Sequence, residues 1–504
     1  MKKLLTVSLL LISSIIVYGQ KIDDSFSKNR MKKDLSIFKE IRLKANSGLY
    51  KYRTKAQIDS IYNWAEEEIE KSSSYIDFYN IICQLTDFEG SLHNETSLPD
   101  KFLQTIKKEH YGYFPFPIKW IEGKWIVNYD KGKIPLGAEI IEINKVPISE
   151  IIFNLHKYYT TDGLNLTGKR IGIRKHFAKY LRLNYGQVKE FEVTYKRNGS
   201  SFKENKTIDG ISYLDYYQNF DDRHSKPYDQ IYYSELNEGE KYNFKILNAK
   251  TGVLTINTFS MGNETTLEHK KYARFLDSIF VKINFLNLKN LIVDVRQNSG
   301  GSDPNDVLTY SYLTSRKFQE SKQAWISFNK IPYVKHLNVS VPKFLRPFGV
   351  GKFNRHFQKR FPTENNKKYF ISKETSEIKT RKPNKNAFKG NVYLMVSPAV
   401  ASAGSLFASM VAGNDNTTVI GEETMGGYYG HNGHTSLGYV LPKSGIIIDF
   451  SIDNIQQDVV DRKNQLDKRG IIPNYTIGQS FQDFLNNTDT QMNFTKDLIK
   501  RAIN

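Results

Sequence analysis

Two largely apolar runs stand out along the chain, at residues 291–295 and 392–396. The second is unbroken, whereas Asp294 is the one charged residue of the first. Runs of this length are typical of strands that are buried on both faces of a parallel sheet. Residues 252–259 predict a further strand, and apolar residues at helical spacing predict an amphipathic helix over 267–283. This alternation of strand and helix predicts an α/β core, which we place at residues 245–482.

The pattern differs on either side of that core. Apolar residues at helical spacing predict a helical region over 20–112, and strand-rich sequence predicts a small β-rich domain over 113–200. Residues 201–244 are polar and rich in Tyr and Asp, which favours a linker. Residues 483–504 predict a C-terminal helix.

Within the last part of the core, the apolar stretches 437–441 and 446–450 flank the sequence Pro-Lys-Ser-Gly. Two short apolar stretches around such a turn predict a β-hairpin.

Residues 1–19 predict a secretory signal peptide, because Lys2 and Lys3 precede an apolar run that is too short to span a membrane. We therefore expect an exported protein, periplasmic or secreted, with no integral membrane span once the signal is removed. Cys83 is the single cysteine, which excludes an internal disulfide. With 39% hydrophobic and 25% charged residues, the composition is that of an ordinary globular protein.

The positive charge is concentrated in one segment. Residues 343–389 contain fourteen Lys or Arg against three Glu, so they supply 14 − 3 = +11 of the formal net charge of +19. Aromatic residues interleave with this charge, which is also the footprint of nucleic-acid or membrane binding. Because an exported protein does not meet nucleic acid as a physiological partner, we expect a solvated basic insertion and no nucleic-acid partner.

A candidate nucleophile, Ser402, follows the second apolar run. A cluster of small residues around Ser402 leads into apolar residues at helical spacing, which predict a helix that ends by Gly413. A serine at the start of a helix is most often a cap. The same position also exposes a hydroxyl beside unpaired backbone N–H groups that can hold an oxyanion, which suits a nucleophile.

The two strand ends together resemble one enzyme family. Residues 294–301 read DVRQNSGG and residues 400–407 read VASAGSLF. They are similar to the D-L-R-x-N-x-G-G and T-A-S-A-x-E patterns of tail-specific and C-terminal-processing serine proteases, whose fold the tricorn protease core shares. The resemblance implies a crotonase-like α/β core with Ser402 as nucleophile. It also implies an oxyanion hole formed by the N–H groups of Ala403, Gly300 and Gly301.

A serine nucleophile needs a base that takes its proton. The C-terminal-processing branch carries a Lys at the end of a G-E-x-T-x-G-K loop, but residues 421–427 read GEETMGG here and Gly427 stands in that place. The tricorn-like branch uses a His ahead of a PDZ-like domain and an acidic residue behind it. That resemblance implies His93 as the base and Asp467 as the acidic residue, with Asp461 as the alternative.

His431 and His434 are alternative bases, because their loop lies beside the serine in the family. Their spacing also suits metal ligands on a helix. Glycines surround them and no third ligand is in view, so we predict no metal site. We expect no cofactor either.

Residues 134–148 resemble the core of a PDZ domain, where a glycine turn and a strand ending in I-N-G build a groove for an extended peptide. Lys145 replaces the usual glycine of that turn. The resemblance implies either a peptide-binding groove or a degenerate PDZ fold that acts as a spacer.

These resemblances together imply an exported serine peptidase of the Ser–His type that hydrolyses peptides or unfolded proteins. We also expect Arg346, Arg355 or Arg360 to hold the C-terminal carboxylate of the substrate, since a guanidinium matches a carboxylate bidentately.

Two alternatives remain at this point. The missing Lys and the presence of Ser405 in place of the motif Glu favour a non-catalytic ligand- or peptide-binding protein on the same scaffold. A polyanion-binding protein built around the basic insertion would show binding that weakens with salt.

Overall fold

The computed structural model describes residues 21–224, 238–301, 304–340 and 346–503. The predicted signal peptide, residues 1–19, lies outside the described residues. Within these ranges, no helix is both long and apolar enough to cross a membrane.

The N-terminal region is helical, as the spacing of its apolar residues predicts. Thr54 and Ser74 begin two of the helices with capping boxes, in which the side chain three residues later bonds back to the cap N–H. The buried Arg42–Glu89 ion pair joins the first helix to the end of the third. The elements are α1 (Lys28–Ala45), α2 (Lys55–Lys71), α3 (Tyr75–Phe88), β1 (Glu95–Ser97) and α4 (Asp100–Lys107).

The β-rich domain follows, with a sheet in the order β2-β3-β4-β6-β7 and β5 paired to β4. Strand β2 lies at the edge of this sheet. The elements are β2 (Ile118–Ile121), β3 (Lys124–Val127), β4 (Glu139–Ile143), β5 (Val146–Pro147), α5 (Ile148–Leu155), α6 (Lys169–Tyr185), β6 (Glu190–Lys196), β7 (Glu204–Asp209) and α7 (Tyr213–His224).

The linker expected over 201–244 is in part a strand and a helix. Strand β7 pairs with β6 along its whole length, and α7 buries Tyr216 and Phe220. The strand escaped prediction because Ile208 is its only fully buried apolar side chain, so that backbone pairing rather than apolar alternation holds it in place. The rest of the expected linker includes residues 225–237, which lie outside the described residues.

The remaining elements form two further sheets. They are α8 (Glu238–Lys241), β8 (Tyr242–Asn248), β9 (Thr251–Ile256), α9 (Leu267–Phe285), β10 (Asn290–Asp294), α10 (Asn305–Ser311), β11 (Ser321–Ile326), α11 (Arg346–Gly349), α12 (Gly351–Arg360), β12 (Thr363–Asn365), β13 (Lys368–Phe370), β14 (Asn391–Val396), α13 (Ala403–Ala412), β15 (Thr417–Gly421), β16 (Asn432–Val440), β17 (Ile447–Gln457), β18 (Tyr475–Thr476), α14 (Phe481–Asn486) and α15 (Thr490–Ile503). Short 3-10 turns lie at His156–Tyr158, Val334–His336 and Ser376–Ile378.

The α/β core has the strand order β18-β15-β14-β10-β9-β8, parallel except for the antiparallel edge strand β8. The two apolar runs form its central pair, β10 and β14, and Leu291, Val293 and Leu394 have no exposed surface. Because the strands are parallel, the carboxyl ends of β10, β14 and β15 meet at one edge of the sheet, where ligands of open α/β sheets usually bind.

The second sheet has the order β1-β17-β11-β13-β12, with β16 also paired to β17. The predicted hairpin is thus present, but its strands are longer than the apolar stretches suggested. Pairing of β1 with β17 attaches the N-terminal helical region to this sheet. Asp34 in α1 adds hydrogen bonds from the backbone N–H groups of Lys443 and Ser444 in the hairpin turn.

The basic insertion is built onto the second sheet. Its β12–β13 hairpin pairs with β11, and Phe357 and Phe361 of the insertion are each only 1% exposed. These two aromatic residues therefore fill the protein's own core, which explains their interleaving with basic residues that face solvent.

The two-residue turn between β4 and β5 allows the effect of backbone strain on stability to be measured. Asn144 and Lys145 have φ of 52° and 65°, values that suit Asn-Gly rather than Asn-Lys. We expect Lys145→Gly to raise the free energy of unfolding by about 1 kcal/mol, because a left-handed non-glycine residue is strained. Thermal or denaturant unfolding of the purified protein would measure this, and an unchanged or lower stability would contradict the assigned turn.

Candidate active site

Ser402 lies in a strained turn between β14 and α13. Its φ of 49° and ψ of −131° are unusual for a residue with a side chain. Such backbone strain is of order 1–3 kcal/mol and clusters at functional sites, where the surrounding structure enforces it. Ser402 is half-buried, and its hydroxyl makes no hydrogen bond to any described residue.

Two of the three predicted oxyanion donors are open. The N–H groups of Ala403, the first residue of α13, and of Gly301 donate to no acceptor in the described part of the chain. The N–H of Gly300, by contrast, donates to Oδ1 of Asn298 at 3.0 Å. Gly300 was expected to be an oxyanion donor. Its N–H is instead engaged in this hydrogen bond within the turn.

Asn298 holds the glycine turn against the Ser402 turn. It has no exposed surface, its Nδ2 donates to the carbonyl of Ile256 at 3.2 Å, and its own carbonyl accepts the N–H of Ala401 at 3.3 Å. A Cβ on Gly300 would lie 2.8 Å from Cβ of Ser402, so only glycine fits there. We did not assign Asn298 a role from the sequence, although the motif asparagine was the signal for it.

His93 lies in the loop between α3 and β1, and its ring centroid is 5.2 Å from that of His431. Burial, with a smaller effect of His434, lowers the pKa of His93 to about 4. Burial and then the neighbouring His93 also lower the pKa of His431, well below its ordinary value. Both rings are therefore neutral near pH 7, the form that can accept a proton.

The three candidate bases thus lie together, but none is hydrogen-bonded to Ser402 among the described residues. Nε2 of His93 and Nδ1 of His431 are shielded from solvent, and no described residue hydrogen-bonds to either nitrogen. Nε2 of His434 is 3.5 Å from Oε1 of Glu320, a buried carboxylate. Glu320 had no sequence signal, because it precedes a strand outside every motif.

The two candidate acidic residues, Asp467 and Asp461, are exposed. The charge of Asp467 acts on Lys51 and Tyr52, and that of Asp461 acts on Tyr429. Neither carboxylate is hydrogen-bonded to a histidine within the described ranges. The structure therefore places Asp467 near the site but does not connect it to His93.

The 421–427 loop lies directly against the Ser402 turn. The N–H of Gly426 donates to the carbonyl of Val400 at 3.2 Å, and a Cβ on Gly426 would overlap the side chain of Ser405. Oγ of Ser405 in turn donates to the carbonyl of Ser402 at 2.8 Å. Gly427, which stands where the family Lys would be, donates its N–H to Asp162 at 2.9 Å.

Two of the three predicted arginines of the basic insertion have other partners, and the third is exposed. Arg346 donates to the carbonyls of Lys335 and Val339, and Arg355 is exposed. Arg360 is paired with two buried carboxylates, at 2.8 Å from Glu377 and 3.2 Å from Asp453. The structure does not bring these three side chains to the serine, because the insertion lies on the second sheet.

An open cleft of about 640 Å³ separates the β-rich domain from the carboxyl ends of the core strands. Edge strand β2 and helix α6 line one side, and residues that follow β10, β14 and β15 line the other. Its polar and charged lining includes Lys119, Arg170, Arg174, Arg296, Glu422 and Asp489. Within the described part of the chain, no group of three or more His, Cys, Asp and Glu side chains is arranged to hold a metal ion.

Comparison with known proteins assigns the core. Residues 250–477 match peptidase family S41, and residues 110–215 match a PDZ domain. The S41 match covers almost all of the predicted core, residues 245–482. The protein is therefore a serine-type peptidase that carries a PDZ domain, as the sequence motifs implied, and the family acts on peptide or protein substrates.

Solved structures show the same fold at low sequence identity. Mature CPAF is similar with a TM-score of 0.56 and 12% identity, over 90% of this chain and 94% of that chain. Its complex with lactacystin is similar with a TM-score of 0.56 and 12% identity, over 94% of this chain and 98% of that chain. A search of curated proteins finds no match.

The close approach of the Gly300 turn to the Ser402 turn leads to a prediction. Gly300→Ala should lower activity on a protein substrate by about a hundredfold, since an added Cβ displaces Ser402 and misplacement by about 1 Å has that effect. Hydrolysis of a fluorescently labelled unfolded protein would measure it.

Gly199→Ala is the matched control. Gly199 also has a positive φ, 76°, but a Cβ there would meet no atom within 4 Å. That variant should lose about 1 kcal/mol of stability from backbone strain alone and keep its activity. Equal activity of the two variants would contradict the tight approach at Ser402.

Proposed function

We propose that this protein is an exported peptidase that cleaves peptides and unfolded proteins with Ser402 as nucleophile and His93 as general base. The strained Ser402 turn beside two open N–H groups carries the proposal. Oγ of Ser402 attacks the scissile carbonyl, His93 takes the serine proton, and the N–H groups of Ala403 and Gly301 hold the oxyanion. His93 then gives the proton to the leaving amine, and water hydrolyses the acyl-enzyme by the same route.

Two observations support His93 as the base. Its buried neutral ring has an Nε2 to which no described residue hydrogen-bonds, a property shared with Nδ1 of His431. Its loop is also joined, through Asp162, to the 421–427 loop that contacts the Ser402 turn. Substrate binding is expected to close the remaining gap, because catalytic hydrogen bonds are often formed only in the complex. Asp467 remains the proposed acidic residue, acting near Lys51 and Tyr52 rather than directly on the ring.

We propose that the substrate reaches Ser402 through the cleft beside β2. Edge strand β2 can add an extended peptide as a further strand, and the cleft extends from β2 to Pro398 and Ala399, shortly before Ser402. An extended chain suits peptides and unfolded proteins, because a folded protein does not offer such a strand. Export is proposed from the signal-like residues 1–19 alone.

The nucleophile is tested by covalent labelling. A fluorophosphonate should label wild type at Ser402, and Ser402→Ala should lose both labelling and hydrolysis while its unfolding midpoint stays close to wild type. Ser409→Ala is the control, because Ser409 is a buried serine further along α13. Labelling that persists in Ser402→Ala would contradict the assignment, and a wild type that is never labelled would favour a binding protein.

The base is tested by the pH dependence of kcat/KM, which reports groups of the free enzyme. A base must be neutral to accept a proton, so activity should fall as pH drops through the pKa of His93. Because burial lowers that pKa to about 4, this step should lie near pH 4 rather than near the ordinary histidine value of about 6.5. His93→Ala should lose at least about a hundredfold in kcat/KM. Wild-type-like turnover in that variant would contradict the assignment.

A further inference from the structure

Asp162 is a buried carboxylate that the proposed mechanism does not use. It has no exposed surface and lies between α5 and α6 of the PDZ domain. Oδ1 accepts the N–H of Leu92 at 3.0 Å, next to His93. Oδ2 accepts the N–H of Gly427 at 2.9 Å. One side chain of the PDZ domain therefore bonds to two loops of the active site.

The backbone around Asp162 continues the same connections to the His93 loop. The N–H of Gly163 donates to the carbonyl of Gly90 at 2.7 Å, and Oγ1 of Thr160 donates to that of Asn94 at 2.7 Å. The His93 loop is thus held on both sides of the imidazole by residues 160–163.

Residues 162–165 hold two other loops in the same way. Nδ2 of Asn165 donates to the carbonyl of Thr424 at 2.5 Å, and the N–H of Asp162 donates to that of Met425 at 3.3 Å. The N–H of Leu164 donates to the carbonyl of Lys468 at 2.9 Å, directly after Asp467. Three loops that carry or flank candidate site residues therefore meet at one segment.

We propose that Asp162 is a positioning residue, which sets the His93 loop against the 421–427 loop and through it against Ser402. The proposal rests on the proposed roles of Ser402 and His93. The route is continuous: Leu92 to Asp162, Asp162 to Gly427, and Gly426 to Val400 in the serine turn. Each carboxylate oxygen must accept one N–H, and a charged acceptor makes these bonds stronger than a neutral one.

The ionised form is needed, because protonation converts one acceptor oxygen into an O–H. Burial raises the pKa of Asp162 to about 7, against the opposing effects of its two N–H donors and of Lys51. Within the described ranges, the charge of Asp162 also acts on the Tyr52 hydroxyl, and Asp467 acts on both Lys51 and Tyr52. Positioning is therefore lost as pH falls through about 7, well above the step assigned to His93.

Asp162→Asn in the full mature chain tests this, with active sites counted by fluorophosphonate titration so that misfolded protein does not contribute. We expect kcat per titrated site to fall by about 10- to 100-fold, since misplacement by about 1 Å can reduce rates about a hundredfold. KM should change little, and the step near pH 7 should disappear while the step near pH 4 remains. A kcat per site close to that of wild type, or a step near pH 7 that persists, would overturn the proposal.

Asp34→Asn is the matched control. Asp34 is also fully buried and accepts backbone N–H groups from another segment, but neither segment carries a candidate site residue. It should lose stability while keeping kcat per site and the pH profile. The same losses in Asp34→Asn would show a general folding effect and overturn the positioning role.

Hydrogen exchange separates this proposal from the proposed function. Amide exchange of residues 90–94 and 424–427 should speed up in Asp162→Asn and stay unchanged in Asp34→Asn. Unchanged exchange in Asp162→Asn would overturn the positioning role whether or not the protein cleaves peptides. Faster exchange in Asp162→Asn, together with a wild type that no fluorophosphonate labels, would support the positioning role and contradict the proposed function instead.

Discussion

The active-site region depends on the parallel pairing of β10 with β14. That register places Asp294 opposite Met395, so the chain leaves the two strands at neighbouring points of one sheet edge. The Gly300 turn and the Ser402 turn then approach closely, and Asn298 joins them by hydrogen bonds to both. Without this register, neither the strained serine nor its open N–H groups would face the same space.

Buried polar groups connect the other parts of the chain to that edge. The Arg42–Glu89 pair packs α1 against the end of α3, shortly before the His93 loop. Asp162 of the PDZ domain accepts hydrogen bonds from two loops of the active site. Burying a carboxylate is unfavourable unless its oxygens are hydrogen-bonded. Their satisfied bonds therefore favour one relative placement of the helical region, the PDZ domain and the core.

Sequence patterns predicted the parts of this structure that local chemistry determines. The apolar runs marked β10 and β14, and the small residues around Ser402 marked the turn before α13. The aromatic residues of the basic insertion also fit a binding surface, but Phe357 and Phe361 are buried in the core. A composition cannot show in which direction a side chain packs. Strand β7 was missed because its hydrogen bonds come from β6 rather than from an apolar pattern.

The candidate site was only partly predictable for a related reason. Ser402 and His93 carry motif signals, whereas Asp162 and Glu320 meet the site through contacts that are distant in sequence. No single-sequence pattern reveals a carboxylate that bonds to Leu92 and Gly427 at once. Likewise, the engagement of the Gly300 N–H by Asn298 appears only when the turn is folded.

The most direct test of the account is a crystal structure of the mature protein after reaction with a fluorophosphonate. The account predicts an adduct on Oγ of Ser402 whose phosphoryl oxygen lies within about 3.1 Å of the N–H groups of Ala403 and Gly301. It also predicts a ring nitrogen of His93 at hydrogen-bond distance from that serine oxygen. An adduct on another residue, or one that His431 or His434 contacts while His93 stays apart, would contradict the account.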